Sequence, residues 1–137
     1  MAGSGSDTDP GTGTLPRVAL GLVRLVNGVL GLLLPHVLIR RIDPAEPPSP
    51  AAVYAFRLFG IRTILIGRDL LRPPGAQRTR AVEEAPLIHA SDTATATLLT
   101  LSGRVPLKSG LPLVAISGLN TVLAFAARRA IRSAGGR

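Results

Sequence analysis

The chain has 137 residues, 46% of them hydrophobic, and sixteen basic residues against eight acidic ones give it a formal charge of +8. That length provides for one domain, and the apolar content exceeds what a small water-soluble helical bundle needs. Cysteine is absent, which excludes disulfide frameworks, thiolate metal sites and cysteine nucleophiles.

Residues 1–14 (MAGSGSDTDPGTGT) are too polar to bury anything and read as a disordered tail. From Leu15 to Ile39 the chain is apolar apart from Arg17, Arg24, Asn27 and His36, which predicts a first helix opening near Pro16. RRIDPAEPPSP, residues 40–50, carries four prolines and is a predicted loop. A second helix is expected over Ala51–Leu71, then a proline-bearing, basic loop over Arg72–Arg80. A third is expected over Val82–Ser102, with Pro86 one turn inside it, where its missing N–H costs little, and Glu83 and Glu84 favouring the positive end of the helix dipole. TATAT, residues 93–97, alternates like a strand, but the alternation stops there and helix is the better reading. GRVPLK forms the third connection. The fourth helix spans Gly110–Ala130 and takes up nearly all of a charge-free run from Ser109 to Ala127 that is long enough to cross a hydrocarbon core of roughly 30 Å. Residues 131–137 form a short basic C-terminal tail.

The fold class expected is therefore all-α, a four-helix transmembrane bundle over residues 15–130. Fifteen of the sixteen basic residues are arginine, and they gather at segment ends rather than along a polar helix face, which points to the lipid bilayer as partner and not to nucleic acid. With four crossings, Arg17, Arg68, Arg72, Arg78, Arg80, Arg128, Arg129, Arg132 and Arg137 fall on one side, and Arg40, Arg41, Arg104 and Lys108 on the other. Nine against four places both termini in the cytoplasm and the protein in the plasma (inner) membrane.

Helices associate in lipid through close backbone approach and interhelical hydrogen bonds. Gly21, Arg24, Gly28, Gly31 and Pro35 share one face of the first helix, and Arg57, Gly60, Ile64, Gly67 and Leu71 repeat that spacing on the second. Ala90, Ala94 and Thr97 on the third, and Gly110, Ser117, Thr121 and Ala124 on the fourth, are further small-residue faces. These glycines are packing residues first.

Arg57 and Arg62 lie within the second helix, where each charge costs roughly 2.5 to 3.5 kcal/mol at the bilayer centre. Asp92 is the carboxylate deep in another segment, so a pair from Arg57 or Arg62 to Asp92 is expected, with Arg57 as the inward residue. His89 and Asp92, at i and i+3, are spaced as a carboxylate and imidazole that could orient a general base, or as a polar contact holding the helix in register. Asn120 is an interhelical hydrogen-bonding residue or a binding residue. No metal site is expected, since Glu84, His89 and Asp92 lack a fourth ligand, and no cofactor is expected either: P-loop, dinucleotide, serine-hydrolase and zinc-protease motifs are missing.

FRLFGIRTILIGRDLL, with Arg57, Gly60, Arg62 and Gly67, together with Arg24, Gly28 and Pro35, resembles small bacterial four-helix membrane proteins of the DoxX-like kind. The resemblance implies a four-helix integral membrane bundle and transfers no catalytic residue. The function expected is an accessory or self-associating membrane subunit, in a homo-oligomer or larger membrane complex, with an internal Arg-Asp pair. The alternative is an intramembrane enzyme or binder of a small lipid-like molecule, using His89, Asp92 and Arg57.

Overall fold

A computed structural model describes residues 11–44 and 47–135. Residues 1–10 of the predicted tail and residues 136–137 at the C-terminus lie outside the described residues. Among the described residues there are five helices and no strand: α1 (Gly11–Leu33), α2 (Pro35–Ile42), α3 (Pro50–Leu71), α4 (Ala76–Leu101) and α5 (Leu107–Gly135).

Element boundaries follow local chemistry. The predicted first helix is two, because Leu34 leaves helical geometry (φ −128, ψ 53) just before Pro35, whose ring cannot continue the ladder. α2 then carries Arg40 and Arg41 as its last turn, inside the stretch read as loop, and stops when the Asp43 N–H bonds the Ile39 carbonyl at 2.8 Å. Ser49 caps α3, its hydroxyl accepting the Ala52 N–H at 3.1 Å, with Pro50 in the opening turn. α4 starts at Ala76, earlier than the basic loop suggested. Only residues 72–75 are kept out of the helix by Pro73 and Pro74; beyond them Ala76, Gln77 and Arg78 are good helix formers. Gly103, at φ +71, makes the left-handed turn that separates α4 from α5. α5 takes in Ile131 to Gly135, so the predicted C-terminal tail is largely helix.

α1 lies along α3, α4 along α5, and the two pairs join chiefly where α1 meets α5. α3 and α4 meet only sparsely, so the bundle is open along that seam. Leu20, Leu70, Val82, Ala85, Ala124 and Ala127 form a buried apolar cluster. It draws on the first half of α1, the end of α3, the first half of α4 and the second half of α5. Neighbouring long helices therefore run antiparallel, and the first turns of α1 and the last turns of α5 share one end.

The α1–α3 pair is held at backbone distance by glycine. A Cβ on Gly28 would stand 2.8 Å from the Ile64 nitrogen and 2.9 Å from the Gly60 carbonyl oxygen, and one on Gly67 would stand 2.9 Å from the Gly21 carbonyl oxygen. Gly31 meets the Phe56 carbonyl in the same seam. Nothing bulkier fits, and such proximity gives helices in lipid dispersion contacts that leucine against leucine cannot.

Three helical stretches are long and apolar enough to cross a membrane: Thr14–Leu33, Pro50–Leu71 and Leu107–Ala134, not the four expected. Glu83, Glu84, His89, Asp92 and the threonines keep α4 below that standard by composition. Only 28, 17 and 22% of the three spans is buried, so most of their apolar surface faces outward.

Candidate functional site

The buried charge of the bundle is Arg24. It is 4% exposed, halfway along α1 on the glycine face, and it reaches across the bundle to α4. Its Nη2 donates to Asp92 Oδ2 at 2.9 Å and lies 2.6 Å from His89 Nδ1, while its Nε donates to His89 Nε2 at 3.2 Å. Guanidinium only donates and a neutral imidazole has a single accepting nitrogen, so one of the two ring nitrogens accepts from Arg24 and the other carries the ring proton. His89 is 1% exposed, whereas the Asp92 side chain keeps 40% exposure.

This arrangement fixes what the site can do. His89 Nδ1 and Asp92 Oδ2 are 4.0 Å apart, beyond hydrogen-bond reach, so the two side chains do not bond each other in this structure. Both groups instead converge on one cation. The carboxylate neutralises it, the imidazole lies against it, and α1 is tied to α4. A threonine clasp stands next to this tie: Thr93 Oγ1 and Thr121 Oγ1 are 2.8 Å apart, joining α4 to α5, and Thr93 also donates to the His89 carbonyl at 2.9 Å.

The expected partner of Asp92 is corrected. Arg57 and Arg62 both have exposed side chains and neither pairs with Asp92; Arg24 does. The reason is helical phase. The buried stripe of α3 is Gly60, Thr63, Gly67 and Leu70. Arg57 sits about 120° from Thr63 around the helix and Arg62 about 100° on the other side, so the two flank the stripe rather than join it. Arg57 therefore does not belong to one site with His89 and Asp92. Asn120 is buried on α5 beside Thr121 and, among the described residues, makes no side-chain hydrogen bond. Gly21, Gly28, Gly31, Gly60 and Gly67 all lie in the α1–α3 contact. Among the described residues no group of three or more potential ligands could hold a metal ion.

Arg24 is the residue that sequence reasoning placed on a face without asking for its counter-charge. The signal was there: an arginine three residues after Gly21 and four before Gly28 must lie in a contact, not in lipid. Comparison with family models, curated proteins and solved structures gives no match to this chain.

Proposed function

We infer that this chain is a small integral membrane protein that acts by association, as a self-associating or accessory membrane subunit. The observation that carries this reading is the pair of exposed arginines on α3, a helix long and apolar enough to cross a membrane. Facing lipid, Arg57 and Arg62 together would cost roughly 5 to 7 kcal/mol. Arg57 is seven residues from the start of α3 and can snorkel to an interface. Arg62 is nine residues from the other end, roughly 13 Å, beyond easy snorkelling, and it needs a partner in the membrane.

α4 crosses with the others in this reading. It runs beside α5, and its polar groups are spent inside: His89 and Asp92 on Arg24, Thr93 on Thr121. The end that holds Arg17, Arg72, Arg78, Arg128, Arg129 and Arg132 faces the cytoplasm by its excess of arginine, with both termini there and the bundle in the plasma (inner) membrane. The DoxX-like resemblance in α1 and α3 points the same way. The Arg24–Asp92 pair is the structural tie of this bundle. An enzyme or lipid-like-molecule binder built on His89 and Asp92 is the weaker reading, because Arg24 already occupies both groups.

The test is membrane extraction followed by crosslinking. The expressed chain should resist alkaline carbonate, leave the membrane only with detergent, and crosslink within the bilayer from positions beside Arg62. Release by carbonate alone ends the integral reading. An integral chain that gives no crosslinked species, in which Arg62→Ala changes nothing, ends the associating one.

A further inference from the structure

Beyond the core cluster, α5 continues through a strongly basic stretch. A shallow, open groove of about 490 Å³ runs along it, lined by Phe125, Arg128, Arg129, Arg132 and Ser133. The Arg128 Nε is buried with no hydrogen-bond acceptor, and among the described residues none of the three arginines forms an ion pair, not even with Glu83 or Glu84 at the same end of the bundle. Three cations without ion-pair partners along one groove call for an anion with several oxygens. Guanidinium forks match phosphate in both charge and shape.

The same face says what the phosphate is attached to. Phe125 precedes Arg128 by three residues, Arg129 by four and Arg132 by seven, so its ring lies one turn further into the bundle on the side the arginines occupy. Seven residues before Phe125 stands Gly118, where an added Cβ would meet nothing within 4 Å. Seven before that is Leu111, 63% exposed. The strip thus runs from guanidinium to aromatic ring to bare backbone to aliphatic side chain. Inorganic phosphate would use the first part alone, whereas a phosphate diester carrying acyl chains uses all of it.

We propose that this face of α5 is a binding site for an anionic phospholipid, with the phosphate held by Arg128, Arg129 and Arg132 and an acyl chain lying over Phe125 and Gly118. This goes beyond association and rests on the bundle being embedded in lipid.

The experiment uses the full chain purified in neutral detergent and titrated in native mass spectrometry with phosphatidylglycerol, with phosphatidylcholine of the same chains, and with inorganic phosphate. Phosphatidylglycerol should be retained in preference to phosphatidylcholine. The R128Q/R132Q variant should bind it roughly 25-fold more weakly, about fivefold for each arginine, while R40Q/R41Q at the other end should bind like the parent. R129Q, at an exposed position, serves if the double variant does not fold, and should lose about fivefold. Equal retention of both lipids, or undiminished binding in these variants, overturns the site. Displacement of the lipid by millimolar inorganic phosphate makes the groove a free-phosphate site and overturns the lipid assignment. A carbonate wash of the membranes before detergent is added reports separately on the integral reading: release there ends that reading and the embedded lipid site with it, whereas loss of lipid preference in a chain that resists the wash ends this site alone.

Discussion

Asp92→Asn removes a charge and almost no volume, and the structure says what is left behind. Arg24 stays 4% exposed with His89 as its one full acceptor. Breaking a buried ion pair costs roughly 3 to 5 kcal/mol when a bare charge remains inside. Here the carboxylate is 40% exposed, so part of its charge was already hydrated, and the amide oxygen of asparagine still accepts from Arg24. The expected loss is about 2 to 3 kcal/mol. Arg24→Gln strands the other partner, a carboxylate that can hydrate through its open side, and should cost less, about 1 to 2 kcal/mol. The double variant should fall short of the sum by about 1 to 2 kcal/mol. Unfolding by a denaturing detergent, followed by helical circular dichroism in mixed micelles, measures all three. Arg57→Gln combined with Asp92→Asn is the control and should be additive within about 0.5 kcal/mol. Additive losses for Arg24 and Asp92, or a larger loss from the arginine change than from the aspartate change, refute the tie between α1 and α4.

The glycines make a prediction of opposite signs. Gly60→Ala drives a methyl to 2.7 Å from the Gly28 carbonyl oxygen and should cost about 1 to 3 kcal/mol, whereas Gly118→Ala meets open space and should gain about 0.5 to 1 kcal/mol from helix propensity, both read in the same unfolding assay. Thr121→Val deletes the contact to Thr93 and should cost about 0.5 to 1.5 kcal/mol. Because the chain has no cysteine, single cysteines at Ser133 and Ser102 can be labelled from either side of the membrane; Ser133 should react from the cytoplasm and Ser102 from the opposite side, and labelling of both from one side would break the four-crossing topology. Arg62→Ala should leave unfolding within about 0.5 kcal/mol of the parent while removing crosslinked species, since its side chain is exposed within one copy.

The helical class and the glycine faces were legible because periodicity survives in any solvent. Gly21, Gly28, Gly60 and Gly67 announce a close crossing by spacing alone. What misled was weighing charge by cost rather than by phase. Arg57 and Arg62 stood out because two arginines in one apolar segment are expensive, but expense says only that a charge needs compensation. Which arginine meets Asp92 is decided by angle, and the three positions Gly21, Arg24 and Gly28 contain that angle. The start of α4 was misplaced for a related reason: the basic character of residues 72–80 was read together with its prolines, although only Pro73 and Pro74 forbid a helix. The loss of an apolar span at α4 has a physical cause too, since a helix that carries the counter-charges and hydroxyls of its neighbours looks polar in isolation.

The tie between α1 and α4 also sets an order of events during synthesis. Arg24 is separated from His89 by 65 positions and from Asp92 by 68, with the whole of α3 in between. The glycine-paired first hairpin is therefore complete on the ribosome while its cation still lacks a counter-ion. For a bundle embedded in lipid as proposed above, that half keeps its cation hydrated until the second hairpin emerges, and the arrival of Asp92 supplies the counter-charge that lets it leave water.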